Sequence, residues 1–286
     1  FLESEIWPSM FKSIKNRNIL LILLNARITK KSFDRWSKFK EFSYSIFGLI
    51  DKAYSQNSET NHYLKRLNVK NIQSIGNMKF IEDDNIKSDK SDKKLFSQFK
   101  KYKTFIAAST HETEELFAAK THILLKKKNK NIITIIIPRH INRVKQIIAE
   151  INELGLNVVS RSSKKLKLKG IDIFIVDTFG ETKKFYKFAT TVFLGKSIIK
   201  GGGQNPLEPA RFGAKILHGP DVNNFKDVYK YLRKLKISSV VNSPQKCADS
   251  IIFKKNMKKV QKMKYLGSTI LKKTLNELDK SIHNEI

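Results

Sequence analysis

Apolar runs of strand length alternate with stretches of helical periodicity along most of the chain. Candidate strands, several of them Val/Ile-rich, occupy residues 19–25, 52–55, 74–77, 104–108, 132–137, 158–160, 171–176, 190–194, 215–218 and 238–241. Between them, apolar positions recur at helical spacing over 32–49, 59–67, 113–126, 141–154, 181–188, 206–212 and 224–235. Continuous apolar runs bounded by helices predict parallel strands buried on both faces. Repetition of that unit predicts a doubly wound α/β fold with right-handed crossovers. One break interrupts it. Residues 83–94, with Asp83-Asp84-Asn85 and the run from Ser88 to Lys94, are polar and without apolar period, which predicts a linker. The linker divides residues 1–82, with too few strands for a complete sheet, from residues 95–286, which end in a basic helical tail from about Ser243.

In open α/β sheets ligands gather beyond the carboxyl ends of the strands, and here those ends carry chemistry. The longest such segment is Gly201-Gly202-Gly203-Gln204-Asn205-Pro206-Leu207-Glu208-Pro209. Three glycines let a backbone pass close to a ligand with its N–H groups exposed. Asn205 suits an N-cap, Pro206 the first helical position and Glu208 the first turn. A glycine loop feeding a helix N-terminus predicts an anion site. Glu208 disfavours a bare phosphate there and favours an added sugar hydroxyl, so a nucleotide satisfies both. Other ends add Pro138-Arg139-His140, Asp177-Thr178-Phe179-Gly180-Glu181, Gly195-Lys196-Ser197, and Ser109-Thr110-His111 before an acidic Glu112, Glu114, Glu115 run. Arg139 offers a bidentate phosphate donor. Each also has a plainer reading. Ser109 and Asp177 suit helix caps, His111 and His140 surface histidines, and the acidic run a capping box with a helix-dipole preference.

Composition changes the picture in one respect. The 286 residues hold 56 Lys+Arg against 26 Asp+Glu, a formal charge of +30, with a pI near 10.0. Such charge favours polyanionic partners, nucleic acid or an anionic membrane. A chain-wide drift toward lysine, asparagine and isoleucine accounts for it equally well. The single Cys247 excludes an internal disulfide and a thiolate metal site, fits a reducing compartment, and suits a small buried hydrophobe. No run approaches the roughly 18 apolar residues of a membrane span. The sequence opens on Phe1-Leu2-Glu3-Ser4-Glu5, which reads as the end of a buried strand, so a fragment of a longer protein is expected.

Taken in order, these motifs resemble the 3-deoxy-D-manno-octulosonic acid (Kdo) transferases of lipopolysaccharide biosynthesis. The resemblance runs from Leu2-Glu3-Ser4-Glu5-Ile6-Trp7-Pro8 through Asn25-Ala26-Arg27, Ser32, Gln56-Asn57 and Gly76-Asn77-Met78-Lys79-Phe80. It continues through Ser109-Thr110-His111, Pro138-Arg139-His140 and Asp177 to Glu181, then Gly202 to Glu208, Gly219-Pro220 and Asn224-Phe225. It implies a GT-B fold of two Rossmann-like domains across a cleft, with the N-terminal domain incomplete here. It also implies inverting, metal-independent and cofactor-free transfer of Kdo from CMP-Kdo to a lipid A precursor at the cytoplasmic face of the bacterial inner membrane, where a segment upstream of Phe1 would serve as anchor. By matching motifs, CMP contacts fall on Pro138, Arg139, Phe179, Gly180, Glu181, Asn205, Pro206, Leu207 and Glu208. Glu3 and Lys79 match positions that stabilise the transition state. Ser109, His111, Ser197, Gly202, Gly203 and Gln204 are candidate neighbours of the donor. The family's catalytic base lies in a Ser-x-Gly-Glu motif that does not occur in this sequence, so donor binding that is weak at best, without turnover, is expected. Lys196 stands where the family usually has a second glycine, and Gln204 where histidine is common.

Two alternatives remain open. One is another GT-B nucleotide-sugar enzyme, which the Arg139 and Asn205-to-Glu208 motifs oppose. The other starts from Phe33, Trp36, Phe39 and Phe42 among Lys31, Arg35, Lys38 and Lys40. These aromatics suit, in that order, the buried face of an amphipathic helix, a surface against an anionic membrane, and a stacking surface for nucleic acid. No nucleic-acid partner is expected.

Overall fold

The computed structural model describes residues 1–81, 90–163 and 167–283. Contacts divide the chain into two units, Phe1–Asp83 with Lys264–Ile286, and Asp84–Met263. The tail from Lys264 therefore groups with the N-terminal residues and not, as the sequence pattern suggests, with the second domain. The expected linker lies outside the described residues over 83–89. Its last residues, from Lys90, open the helix Lys90–Phe99.

The first unit holds three parallel strands, β1 (Ile22–Ala26), β2 (Lys52–Ser55) and β3 (Ile72–Ser74), in the order β1-β2-β3. Leu2 adds an isolated parallel bridge to Leu24, in line with the strand end expected at the opening residues. β3 begins two residues before the expected run. The helix expected over 32–49 is two helices, Lys30–Ser37 and Lys40–Phe47. At the break the Ser43 hydroxyl bonds the carbonyls of Trp36 and Phe39, at 2.5 and 2.9 Å, beside the Phe39 and Ser43 N–H groups that these carbonyls also accept. The break also divides the aromatics. Phe33 is buried, whereas Phe39 and Phe42 are 69% and 47% exposed, so a single buried aromatic face does not form.

Residues of the C-terminal helix Met257–His283 complete this unit. The Tyr54 hydroxyl donates to the Glu277 carbonyl at 3.0 Å and meets Ser281 Oγ at the same distance. Gly267 is required by proximity, because a Cβ there would lie 2.4 Å from the Phe80 carbonyl oxygen.

The second unit carries seven parallel strands: β4 (Lys103–Thr110), β5 (Ile132–Pro138), β6 (Val158–Ser160), β7 (Ile173–Ile175), β8 (Thr191–Leu194), β9 (Lys215–His218) and β10 (Ser238–Val240). Their order is β10-β9-β8-β4-β5-β7-β6. All seven residues of β5 are buried, the signature of a strand covered on both faces. Cys247 is buried in the core, as expected of a small hydrophobe, and burial pushes its thiol up to about 12. The chain runs from β4 outward through β5, then returns past β4 to β8. The topological switch therefore falls between β4 and β8, where such folds open a crevice at the carboxyl ends.

Candidate functional site

The backbone at the switch point is unusual on both strands. Ser109 breaks the β4 register at φ +53°, Thr113 has φ +72°, and Lys196, just after β8, has φ +58°. None is glycine, and such conformations persist only where the surroundings over-determine them. Here the determinant is Glu114. Its carboxylate is fully buried and accepts four backbone N–H groups: His111 at 2.9 Å, Lys196 at 2.7 Å, Ser197 at 3.0 Å and Ile198 at 3.0 Å. One side chain thus ties the turn after β4 to the turn after β8. Gly195 is small for the same reason, since a Cβ there would sit 2.4 Å from the Ser109 oxygen and 2.6 Å from Glu114 Oε2. The capping box expected from sequence is only half formed. Thr113 makes no side-chain cap, and Glu114 supplies the reach-back to His111.

The glycine loop departs from expectation. Its N–H groups are not exposed to a ligand: those of Gly201 and Gly202 donate to Asp221 Oδ2 at 2.8 and 3.1 Å, and that of Gly203 to the Lys196 carbonyl at 2.8 Å. Those bonds, that of Gly201 first, hold the Asp221 carboxyl below its ordinary range. Ser197 is fully buried. Its hydroxyl donates to the Leu194 carbonyl (2.6 Å) and accepts from Gly219 N–H (2.8 Å), so it frames the loop from inside. The helix that follows spans Leu207–Arg211, with Pro206 at its N-cap and Asn205 Oδ1 accepting from Leu207 N–H at 3.1 Å. Pro206 stands one place earlier than the sequence suggests. Leu207 is buried, and Gln204 uses its carbonyl to receive the Tyr229 hydroxyl at 3.1 Å. Glu208 is half-exposed and enters no ion pair among the described residues. Its charge, after burial, raises the nearby Tyr186 hydroxyl.

The ends of β5 and β7 differ. Pro138 closes β5 opposite Thr110, and Arg139 follows, its N–H bonded to the Thr110 carbonyl at 2.9 Å. The Arg139 guanidinium is exposed and has no ion-pair partner among the described residues. His140 meets His111 edge to face, with centroids 5.5 Å apart. His111 is held below the ordinary histidine value by burial, against the raising effects of the Ser109 carbonyl and Glu114. Beyond β7, Asp177 accepts Ser162 N–H at 2.9 Å. Glu181 is engaged by Arg161 through two bonds of 3.2 and 3.3 Å, by Lys184 at 3.2 Å and by the Thr178 hydroxyl. Although burial opposes it, the Thr178 bond and then the two cations hold Glu181 below the usual carboxylate range. Between them Gly180 has φ +77°, and Phe179 is 80% exposed, a bare aromatic face beside the strand ends.

In the first unit, the structure brings Glu3 and Lys79 together. Lys79 Nζ lies 2.9 Å from Glu3 Oε1, and Asn25 Nδ2 is 3.5 Å from the same oxygen. Asn25 Oδ1 accepts from Met78 N–H at 3.0 Å and Asn77 Oδ1 from Lys79 N–H at 2.9 Å, which fixes the lysine-bearing turn. Glu3 and Asn25 both have positive φ, +54° and +52°.

Sequence reasoning missed Glu114 and Asp221. Asp221 carries no motif of its own, and Glu114 looked like a dipole preference. Only its place among three left-handed non-glycine residues marks it out, and those are invisible in sequence.

The family model for 3-deoxy-D-manno-octulosonic-acid transferase (kdotransferase) matches residues 1–82. A 3-deoxy-D-manno-octulosonic acid transferase of Rickettsia felis is 34% identical over 230 residues, 80% of this chain and 49% of the relative. The chain spans about half the length of such curated relatives. Among solved structures, the C-terminal CMP-Kdo binding domain of WaaA from Acinetobacter baumannii aligns with a TM-score of 0.53 at 19% identity, covering 63% of this chain and 96% of that one. The trehalose-6-phosphate synthase OtsA aligns over 99% of this chain and 70% of its own, with a TM-score of 0.54 at 8% identity. These two likenesses speak to fold, the parallel-sheet α/β architecture of GT-B glycosyltransferases. Motifs, family model and relatives converge, and the chain belongs to the 3-deoxy-D-manno-octulosonic acid (Kdo) transferase family.

Proposed function

We propose that the second unit binds CMP-Kdo at the carboxyl ends of its sheet and that the protein serves transfer of Kdo to a hydroxyl of a lipid A precursor. The observation that carries this reading is the set of unengaged groups left at those ends: the Arg139 guanidinium, the bare Phe179 ring and the Glu208 carboxylate. They suit, in turn, a phosphate, a pyrimidine face and ribose hydroxyls. Pro138, Gly180, Asn205, Pro206 and Leu207 shape the backbone around them. Glu181 acts in this reading as an anchor for Arg161 and Lys184.

In the proposed reaction the acceptor oxygen bonds to the anomeric carbon of Kdo as its bond to the CMP phosphate breaks, with inversion. Positive charge grows on the sugar and negative charge on the departing phosphate. Arg139 stabilises the latter, and the Glu3–Lys79 pair is the candidate transition-state group of the first unit. The acceptor proton requires a base. Because these 286 residues contain no Ser-x-Gly-Glu sequence, we expect this polypeptide alone to bind donor without turnover. The reaction is proposed to need neither metal nor cofactor.

For the acceptor side, the exposed Trp7, Met10, Phe39 and Phe42 lie on a lysine-rich unit and suit an anionic membrane surface, proposed as the cytoplasmic face of the inner membrane. Among the described residues no helix is long and apolar enough to cross a membrane.

Thermal-shift titration with CMP, UDP and GDP tests the donor, since a ligand bound only by the folded state raises Tm. CMP is expected to stabilise the protein most. A clear shift with UDP and none with CMP would replace this reading with that of another nucleotide-sugar enzyme. Arg139→Ala is expected to lower CMP affinity at least about tenfold, as befits a charge-assisted bond.

A further inference from the structure

The loop after β8 raises a question of charge. Six of its amides are already engaged: Lys196, Ser197 and Ile198 with Glu114, Gly201 and Gly202 with Asp221, and Gly203 with a carbonyl. An anion arriving here finds two carboxylates, and none of the three glycine amides is left to receive it. Cationic side chains are then the stronger donors.

The cations at the strand ends sort into two groups. Arg143 is bound to Glu115, and Arg161 and Lys184 to Glu181. His111 is held toward its neutral form by burial. Lys196, like Arg139, stands apart. Its ammonium makes no ion pair or hydrogen bond among the described residues, and its charge reaches His111 at the switch point. Its stem is guided across the loop by Gly201, where a Cβ would stand 2.5 Å from Lys196 Cγ and 3.4 Å from Cε. The first loop glycine thus clears a path for a lysine, not for a phosphate. The lysine is also held at φ +58°, a conformation in which glycine is relaxed and lysine strained. A strained residue with an unengaged charge at a crevice is where function is expected.

We propose that Lys196 is a donor-binding residue of this chain, its ammonium pairing with the phosphate of the bound nucleotide in place of the loop amides. This rests on the reading that the crevice takes CMP. Phosphate recognition is then carried by two side-chain cations, Lys196 and Arg139, from opposite sides of β4, which pairs with both β5 and β8.

The test compares CMP with cytidine, which lacks the phosphate, by calorimetry on wild type, Lys196→Gln and Lys196→Gly. Both variants are expected to lose about tenfold in CMP affinity, the value of one ion-assisted bond, with cytidine affinity unchanged. The glycine variant, freed of backbone strain, should melt no lower than wild type, so weaker binding cannot be blamed on a damaged fold. A CMP-to-cytidine affinity ratio equal in wild type and both variants overturns the proposal. Should wild type bind neither nucleoside nor nucleotide, the CMP reading itself fails. Inorganic pyrophosphate, titrated into the same three proteins, then decides Lys196: binding weakened in both variants supports it, and equal behaviour overturns it.

Discussion

Two sides of the same sheet edge behave oppositely. On the β8–β9 side, nearly every polar group is turned inward: Glu114 takes four amides, Asp221 takes two, and Ser197 bridges Leu194 to Gly219. On the β5–β7 side, the Arg139 guanidinium and the Phe179 ring extend outward without partners among the described residues. The first side holds shape, and we propose that the second meets the ligand. Removing a buried acceptor on the closed side should therefore change stability, whereas substituting the outward groups, Arg139 and Phe179 on the open side and Lys196 beyond β8, should change binding alone.

The hardest test of that division is Glu114→Gln. An amide cannot accept four N–H groups, and at least two would be left buried without acceptors, at about 1–3 kcal/mol each. Urea denaturation should show a loss near 4 kcal/mol. A loss below about 1 kcal/mol would mean the loops hold themselves, and the closed side would lose its keystone.

His218 gives a second test on the closed side. It is 1% exposed, packed on Tyr229 with centroids 4.3 Å apart, and its Nδ1 meets the Gly219 carbonyl at 2.6 Å. Its Nε2 is buried without a hydrogen-bond partner among the described residues. Burial lowers its pKa from 6.5 to about 4. Above pH 6.5 neither folded nor unfolded state binds the proton. Between 6.5 and 4 the unfolded state takes it and the native state does not, so stability falls as pH falls, by about 3 kcal/mol in all. Melting curves across that window should show the slope, and His218→Gln should remove this share of it. A variant with the same pH dependence as wild type would assign the slope to other groups.

The open side should give the smallest effect. Phe179→Ala is expected to weaken CMP binding about tenfold, within the range for one stacked base. Its Tm should match wild type, because the ring is 80% exposed. A lowered Tm with unchanged affinity would reverse the comparison.

Much of this was legible in the sequence. The alternation of apolar runs gave the parallel strands, and Arg139, Phe179 and Glu208 stood out because strand ends are where such folds place ligands. The ion pair of Lys79 with Glu3 is visible only in the structure. What escaped depends on long-range pairing. Three adjacent glycines look like an open nest until Asp221, 20 residues on from Gly201, fills it. The helical pattern over 32–49 carries no mark of the turn at residues 38 and 39, because Ser43 is as common inside helices as at their breaks. The basic tail shows an amphipathic stripe, and a stripe does not name the surface it covers.

That tail sets the order of assembly. Tyr54 finds its hydrogen-bond acceptor in Glu277, 223 residues further along. The small helix-lined sheet of the first unit is translated early but lacks a wall until the C-terminal helix emerges from the ribosome. The seven-stranded unit, whose residues end at Met263, has all of its strands by then. Synthesis ordinarily lets earlier residues fold first, but this contact is one that Tyr54 cannot make until the helix Met257–His283 has been translated.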